Sequence, residues 1–344
     1  RLVGFILVLK IYGKNETSSM KTPWIILILA FPILGVALYL MTGMNGGTKK
    51  MRMRYKVLDD KLLPMLPQNE EILDRLKEED PKAGNVSTYI KGIARYPVYQ
   101  NTDVKYFDEA VKGLESQLVD LAKAEHFIFL EYFIVDQGVM FDRIVEVLEQ
   151  KSKEGVDVRL IYDDIGCINT LPPKYYKVLQ AKGIKCAAFN PFRPIMSVVM
   201  NNRDHRKIFV VDGKVGFTGG INLADEYINV ASRFDYWKDT GIRLEGEAVW
   251  SMTVMFLEMW NYINHSSEDY KQFMPQVCQK EPFEGDGFVQ PYGDTPLDHE
   301  TVGENIYLNI INHAERYVYI FTPYLIIDNA VSYTHLTLPT KLEV

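Results

Sequence analysis

The residues best suited to chemistry lie between Asn201 and Asn222, in the stretch NNRDHRKIFVVDGKVGFTGGIN. Cleavage of a phosphodiester through a covalent intermediate requires a nucleophile that attacks phosphorus and later leaves, and a neutral imidazole can do both. It also requires a fixed cation and further donors for the non-bridging oxygens. Because side chains at positions i and i+2 of a strand point to the same face, the stretch predicts that His205 and Lys207 project towards one phosphate.

The residues that follow extend this pattern. Asp212 lies in the turn VDGK, where its carboxylate is expected to neutralise or orient the basic groups. Gly219 and Gly220 allow the backbone to approach a ligand closely, and Asn222 offers an amide donor. The alternative is a polar hairpin in which Asp-Gly is an ordinary turn. The whole combination is rare at ordinary residue frequencies, which favours a phosphate site.

The composition narrows the class of protein. The chain has 344 residues, and its hydrophobic content of 47% suffices for a folded core. A net charge of −7 argues against nucleic acid as the main partner, since such proteins present a basic surface. The three cysteines, Cys167, Cys186 and Cys278, have no CxxC spacing, so they predict neither a disulfide framework nor a zinc site.

The N-terminal part of the chain has the composition of a membrane segment. Residues 22–44 are uncharged and rich in aliphatic side chains, which predicts a transmembrane helix, with a buried helix of a soluble core as the alternative. Residues 1–12 are interpreted as the remnant of a first transmembrane helix. Five cations follow the segment, at Lys49, Lys50, Arg52, Arg54 and Lys56. The positive-inside rule therefore predicts that residues 45–102 are a cytoplasmic connector and that all later residues are cytoplasmic.

Residues 103–264 have an alternating α/β pattern. Helical spacing in VKGLESQLVDLAKAE is followed by the strand-like run HFIFLEYFIV, and FDRIVEVLEQKSKEG is followed by VDVRLIYD. Residues 265–286 are expected to be a linker. A second unit is expected over 287–330, because AERYVYIFTPYLIID resembles the earlier AEHFIFLEYFIVD. Residues 331–344 are interpreted as a probable non-native tail, so His335 is given no role.

The stretch HRKIFVVD followed by GGIN resembles the HKD motif of the phospholipase D superfamily, and further stretches resemble bacterial cardiolipin synthases. These stretches are FPILGVALYLMTG, LEYFIVD, EGVDVRLIYDDIG, GIKCAAFNPF and YWKDTGIRLEGEAVW. The resemblance extends from Trp24 to about Ala330. It implies an α/β fold in which a mixed sheet flanked by helices forms each of two repeats around one shared site. It implies no metal and no cofactor.

The resemblance also implies roles for individual residues. His205 would be the nucleophile or its general-acid counterpart, Lys207 the phosphate-binding cation and Asp212 the third motif residue. Contacts to phosphate oxygens are implied for Gly219, Gly220 and Asn222. Asp239 is predicted to orient the imidazole, with a salt-bridged residue at a strand end as the alternative. Glu131 lies at the end of a core strand and is a candidate for a supporting role.

The implied reaction is transphosphatidylation between two phosphatidylglycerol molecules at the inner membrane of a bacterial cell, with membrane lipids as partners. The segment Asn190–Asn202 is expected to admit acyl chains, with a buried core segment as the alternative. The chain departs from the pattern because it contains one HKD motif, so the second repeat is incomplete and pairing of two copies is an open possibility. A hydrolase of the same superfamily and a non-catalytic membrane protein are the rival hypotheses.

Overall fold

The structure, a computed structural model, describes residues 2–14, 18–42, 46–192, 202–232, 235–266, 268, 270–278, 282–295 and 300–322. Its centre is a sheet whose strands are β1 (Thr102–Phe107), β2 (Phe127–Tyr132), β3 (Asp157–Asp163), β4 (Lys185–Phe189), β5 (Ile208–Val211), β6 (Val215–Gly219) and β7 (Gly241–Gly246). Their order across the sheet is β1-β7-β6-β5-β2-β3-β4. The sheet is mixed, because β2, β3 and β4 are parallel whereas the other neighbours are antiparallel.

Helices cover both faces of the sheet. One face packs against α7 (Ala110–Ala122), α8 (Val139–Lys153) and α9 (Tyr176–Ala181), and the opposite face packs against α10 (Val249–Asn264). Strand β2 is buried on both faces, since Ile128 and Leu130 contact the first helical layer whereas Phe127 and Phe129 contact the second. This burial explains why the strand is apolar throughout rather than alternating. The α/β architecture expected over 103–264 is therefore confirmed.

A tight hairpin joins β5 to β6. Asp212 and Gly213 have φ angles of 53° and 63°, and the amide of Lys214 donates to the carbonyl of Val211 over 3.0 Å. Positive φ at both central residues is the requirement of the two-residue turn that matches strand twist, and Asp-Gly satisfies it. The turn lies at the end of β5 remote from His205.

The apolar N-terminal region differs from the single transmembrane helix expected over 22–44. It forms α1 (Leu2–Tyr12), α2 (Ser18–Ala30) and α3 (Pro32–Thr42). The chain bends sharply at Phe31 and Pro32, and the bend brings α3 so close to α2 that a Cβ on Gly35 would lie 2.7 Å from the Cα of Ile28. Proline lacks an amide hydrogen and its ring crowds the preceding turn, which explains the break. Among the described residues, none of the helices has both the length and the apolar content for a membrane crossing.

The expected connector over 45–102 is mostly helical. It comprises α4 (Gly46–Leu62), a short 3₁₀ turn (Leu63–Met65), α5 (Glu70–Glu79) and α6 (Pro81–Ile93). Helix α4 packs on α10, where Tyr55 stacks on Tyr262 with ring centroids 4.3 Å apart. The guanidinium of Arg54 lies 4.7 Å from the centre of the same Tyr262 ring. The connector is thus part of the folded unit rather than a flexible spacer.

The residues after α10 also pack on the domain. The segment expected to be a linker over 265–286 contains a 3₁₀ turn (Tyr270–Phe273) and α11 (Pro275–Cys278), and both Tyr270 and Phe273 are buried. Helix α12 (Val302–His313) follows. Residues 315–322 form no strand, although the internal resemblance predicted one, and the described part of the chain places no strand beside them to accept their hydrogen bonds. Residues 323–330 and the tail 331–344 lie outside the described residues.

Candidate active site

Most of the residues predicted to do chemistry meet at one end of the sheet. The end of β2 lies beside the start of β5, with Glu131 opposite Ile208. The end of β6 lies beside the start of β7, with Gly219 opposite Gly241. The segment 202–207 precedes β5 in irregular conformation, so His205 and Lys207 lie just before the strand rather than within it. Four chain segments therefore converge on this end.

The structure brings His205 and Lys207 together as the sequence predicted. The ammonium Nζ of Lys207 lies 3.2 Å from Nδ1 of His205 and donates to the carbonyl oxygen of His205 over 2.7 Å. The ring of Phe133, which follows β2, lies 4.7 Å from the imidazole and 5.7 Å from the ammonium. The half-buried ring of Phe133 thus packs beside both groups. Sequence reasoning did not single out Phe133, because its proximity depends on the pairing of β2 with β5.

Desolvation and neighbouring charges set the protonation of His205 and Lys207. Partial desolvation, together with the charge of Lys207, lowers the pKa of His205 below its usual value, although the residue stays exposed to solvent. Burial also lowers the pKa of Lys207 to about 8, although the carboxylates of Asp204 and Asp239 oppose this shift. At neutral pH the imidazole is therefore neutral and the lysine is cationic. A neutral nitrogen beside a cation is the arrangement that attack on an anionic phosphodiester requires.

Asp239 and the two glycines lie at the same end of the sheet. The carboxylate of Asp239 accepts hydrogen bonds from the indole N–H of Trp237 over 3.3 Å and from the amide of Thr240 over 2.8 Å. A Cβ on Gly220 would collide with the Asp239 carboxylate, and a Cβ on Gly219 would lie 2.5 Å from the carbonyl oxygen of Thr240. Glycine is thus required at both positions, because Asp239 and Thr240, just before β7, lie too close to leave room for a side chain. Contact of either glycine with phosphate remains a prediction.

Asn222 has a supporting position. Its side-chain oxygen accepts from the amide of Ile134 over 3.0 Å, and its nitrogen donates to the hydroxyl of Tyr227 over 2.6 Å. The residue is 2% exposed, so its amide group is engaged within the protein. By holding Ile134 it fixes the loop that carries Phe133 against His205. The structure therefore supports a positioning role for Asn222 rather than the direct phosphate contact implied by the resemblance.

Asp212 is separated from the other motif residues. It lies in the hairpin turn at the opposite end of β5, and its carboxylate accepts three amide hydrogen bonds from the residues that begin β2. Those amides belong to Glu125, His126 and Phe127, at distances of 2.7–2.8 Å. The expectation that Asp212 orients His205 and Lys207 is therefore corrected. The four residues of β5 lie between Lys207 and Asp212, and the Asp212 carboxylate binds the amides at the start of β2.

Glu131 ends β2 opposite Ile208, directly beside the segment that carries His205 and Lys207. It is fully buried, and its carboxylate lies 2.7 Å from the guanidinium of Arg206. Arg206 also pairs with Asp204 over 3.1 Å. Arg206 thus contacts Glu131 and Asp204, whereas the neighbouring Lys207 contacts His205. Glu131 anchors the residue next to His205, which fits the supporting role expected for it, and a direct role in the reaction stays a prediction.

A further carboxylate fixes the segment before His205. Asp163 ends β3 and is fully buried, and it accepts from the backbone amide of Asp204 over 2.9 Å and from the guanidinium of Arg203 over 3.2 Å. Burial raises the pKa of Asp163, and the hydrogen bonds that it accepts oppose this shift. Sequence reasoning missed Asp163, although a carboxylate that ends a buried strand is the signal that could have indicated it.

Comparison with known proteins agrees with this geometry. Residues 117–251 match the family described as "Cardiolipin synthase, PLD-like domain", and residues 2–43 match the family described as "Phospholipase_D-nuclease N-terminal". A cardiolipin synthase 2 of Bacillus cereus is 31% identical over 331 residues, and an uncharacterized protein of Streptococcus mutans is 44% identical over 333 residues. The chain belongs to the phospholipase D superfamily. Its central domain is of the cardiolipin synthase type.

The alignments cover nearly all of this chain but a smaller share of each relative. The alignment covers 95% of this chain and 63% of the Bacillus cereus protein, and it covers 96% of this chain and 71% of the Streptococcus mutans protein. Nuc of Salmonella typhimurium, a phospholipase D family member of known structure, is 18% identical. The superposition of the two structures covers 49% of this chain and 97% of the Nuc chain, with a TM-score of 0.33. That TM-score is too low to support an inference. The chain contains one His-x-Lys sequence.

Proposed function

We propose that this protein is a phosphatidyltransferase that forms cardiolipin from two molecules of phosphatidylglycerol. The observation that carries the proposal is the contact of His205 with Lys207, within a domain of the cardiolipin synthase type. The lowered pKa of His205 leaves an imidazole nitrogen free to attack at neutral pH. The neighbouring ammonium would hold the non-bridging oxygens and compensate their charge in the transition state.

The proposed reaction has two displacements at phosphorus. A nitrogen of His205 attacks the phosphorus of one phosphatidylglycerol, and the bond to the glycerol oxygen breaks as that oxygen takes up a proton. A hydroxyl of a second phosphatidylglycerol then attacks the phosphatidyl-histidine and loses its proton. The phosphorus–nitrogen bond breaks and its electron pair returns to the imidazole. The products are cardiolipin and glycerol.

The proton steps call for a second acid-base group near the phosphate. The chain contains one His-x-Lys sequence, and a homo-oligomer would bring a second His205 from another copy. In that arrangement one imidazole forms the bond to phosphorus and the other protonates the leaving oxygen. This division of roles follows from general acid-base catalysis, since an alkoxide is a poor leaving group without protonation.

We also propose that the N-terminal helices hold the protein at a membrane. Their exposed side chains are mainly aliphatic or aromatic, including Phe5, Leu9, Leu29, Ile33 and Leu34. Basic residues in the first half of α4 follow directly, and such cations attract anionic headgroups at about 1 kcal/mol each. A phospholipid substrate is then delivered from the surface on which the protein lies. The apolar segment Asn190–Asn202, expected to admit acyl chains, is mostly outside the described residues.

Hydrolysis is the second candidate function. The side chain of His205 is exposed to solvent in this structure, so water has access to an intermediate formed there. Transfer to water would give phosphatidic acid, and transfer to a lipid hydroxyl would give cardiolipin. The rival expectation of a nuclease is disfavoured by the net charge of −7.

Product analysis separates these functions. The protein is incubated with phosphatidylglycerol vesicles, and the lipids are quantified by mass spectrometry. Cardiolipin is expected from the wild type and not from His205→Ala. The matched control is His126→Ala, because His126 is an exposed histidine at the opposite end of the sheet. Phosphatidic acid as the sole product would contradict the transferase, and cardiolipin from His205→Ala would contradict the role of His205.

A further inference from the structure

Helices α2 and α3 fold back on each other as a hairpin. Trp24 of α2 packs edge to face on Tyr39 of α3, with ring centroids 5.3 Å apart. A Cβ on Gly35 of α3 would lie 2.7 Å from the Cα of Ile28 of α2. In each pair the first residue lies as far before the bend as the second lies after it, so the two helices are antiparallel. The chain therefore enters and leaves the hairpin at the same end.

The open end of the hairpin, where α2 begins and α3 ends, carries cations and aromatic rings. The ammonium of Lys21 donates to the carbonyl oxygen of Lys14 over 3.0 Å, and the ammonium of Lys14 lies 5.7 Å from the centre of the Tyr39 ring. Trp24 packs against the same ring. Helix α4 begins shortly after α3 and carries further basic residues. Aromatic and cationic side chains together are typical of the headgroup level of a membrane.

The closed end of the hairpin, around the bend, has the opposite character. Its apolar side chains lie in solvent, with exposed fractions of 54–90% for Leu29, Phe31, Ile33 and Leu34. Residues 22–48 contain no charged side chain. An exposed apolar end of this kind indicates a surface that the functional protein covers. The polarity changes once along the hairpin, from cationic and aromatic to aliphatic, as it does from the headgroups of one leaflet to the ends of its acyl chains.

The backbone at the bend is compatible with a hydrocarbon environment. The amide of Phe31 donates to the carbonyl oxygen of Leu27 over 2.9 Å, and the amide of Gly35 donates to the carbonyl oxygen of Phe31 over 2.7 Å. Pro32, between them, has no amide hydrogen. In lipid each unpaired backbone group costs free energy because no water can satisfy it. A bend with these amides satisfied internally enters lipid at a lower cost than an open loop.

The length of the hairpin matches one leaflet. Helix α2 has 13 residues and α3 has 11. At about 1.5 Å per residue, the chain rises about 15 Å from Lys21 to Phe31. The hydrocarbon of one leaflet is also about 15 Å thick, since the core of a bilayer measures about 30 Å. With Lys21 among the headgroups, the bend reaches the middle of the bilayer.

We propose that α2 and α3 form a re-entrant hairpin, which enters one leaflet of a lipid bilayer and returns to the side from which it came. Phe31 and Ile33 then lie near the middle of the bilayer, and Lys21 and Trp24 lie among the headgroups. The chain segments before and after the hairpin are on the same side of the membrane. The inference rests on the proposed membrane attachment, and it is independent of the proposed reaction.

The distance between the two helices in vesicles tests the hairpin. Nitroxide labels are attached to the double variant Thr22→Cys and Leu40→Cys, both exposed positions, in a Cys278→Ser background, since Cys167 and Cys186 are buried. With phosphatidylglycerol vesicles we expect dipolar broadening of the electron paramagnetic resonance spectrum, because adjacent helix axes lie about 8–10 Å apart. A continuous helix would separate the two positions by about 27 Å. A spectrum without broadening, equal to that of the singly labelled variants, would overturn the proposal.

Gly35→Ile tests whether the packing of the two helices causes the broadening. An isoleucine side chain at this position meets the backbone of α2, so the broadening is expected to be lost. The matched control is Ala37→Ile, an exposed position of α3 at which the broadening is expected to remain. Broadening that persists in Gly35→Ile would overturn the packing of the hairpin. Circular dichroism verifies folding, and if Gly35→Ile does not fold, the doubly labelled protein without it decides.

The depth of the closed end is measured by fluorescence quenching. A fluorophore on Ile33→Cys, in the same Cys278→Ser background, should be quenched more strongly by lipids with a nitroxide near the end of the acyl chain than by lipids with one near the headgroup. The control is Val178→Cys, an exposed position of α9 at which neither lipid should quench. Absence of quenching at Ile33 would show that protein, such as a second copy of this chain, covers the closed end, and it would overturn the proposal.

Vesicle flotation and the lipid product assay separate this inference from the proposed function. Vesicle binding without dipolar broadening would contradict the hairpin alone. Dipolar broadening and deep quenching without cardiolipin formation would contradict the phosphatidyltransferase alone.

Discussion

The ammonium of Lys207 lies 3.2 Å from Nδ1 of His205 and donates to the carbonyl oxygen of the same histidine. Desolvation and the charge of Lys207 lower the pKa of the imidazole, and burial lowers the pKa of Lys207 to about 8. The site therefore combines a neutral nucleophile with a cation only in a window around neutral pH.

Anion binding is predicted to weaken as the pH rises through about 8, because Lys207 then loses its charge. Dimethyl phosphate is a suitable probe since its own charge is constant over this range. We expect Lys207→Arg to retain binding at higher pH, as a guanidinium stays protonated. Affinities measured by calorimetry between pH 6 and pH 10 check this, and a wild-type profile without any fall in that range would contradict it.

Removal of the charge of Asp239 is predicted to move this profile to lower pH. The Asp239 carboxylate raises the pKa of Lys207, whereas burial lowers it. In Asp239→Asn the carboxylate is gone, so the pKa of Lys207 falls below about 8. The affinity of the variant for dimethyl phosphate should therefore decrease at a lower pH than the affinity of the wild type does. A shift towards higher pH, or none, would show that the two groups are not coupled.

Asp212→Ala is predicted to destabilise the fold without weakening the anion site. The substitution leaves three backbone amides at the start of β2 without their acceptor. We expect the free energy of unfolding to fall by about 2–4 kcal/mol, as measured in urea. The folded protein should bind dimethyl phosphate with wild-type affinity. Reduced affinity at unchanged stability would restore a direct role for Asp212.

Glu131→Gln is predicted to cost about 2–4 kcal/mol of unfolding free energy, because Arg206 loses the fully buried one of its two carboxylate partners, Glu131 and Asp204. The matched control is Glu115→Gln, whose exposed pair with Arg143 should contribute less than about 1 kcal/mol. Urea unfolding of both variants measures the difference. Equal small effects would show that the Glu131 pair does not anchor the segment before His205.

The order of strands and helices in the central domain could be predicted from the sequence. Apolar runs such as Phe127–Leu130 and helical spacing in 139–153 follow directly from burial on a two-sided sheet. The proximity of His205 and Lys207 was also predicted from their i, i+2 spacing, although both residues lie just before β5 rather than within it. Both inferences use local periodicity, which a single sequence contains.

Other parts of the site depend on which strands pair and in what register. Glu131 contacts Arg206 because β2 pairs with β5, and no local pattern indicates this. The error for Asp212 has a simpler cause. Asp212 lies seven positions after His205, and at about 3.3 Å per residue an extended chain between them places the two residues roughly 20 Å apart. The apolar run at 22–44 predicted a continuous helix, but Pro32 divides it.

The central claim is that His205 carries the phosphatidyl group between two lipids. The most direct measurement is mass spectrometry of peptides from protein that was mixed with isotope-labelled phosphatidylglycerol and quenched at alkaline pH, where phosphohistidine survives. We expect the peptide that contains His205 to carry the added mass of one labelled phosphatidyl group, in the wild type and in His126→Ala but not in His205→Ala. A labelled adduct on another residue, or cardiolipin formation without any histidine adduct, would contradict it.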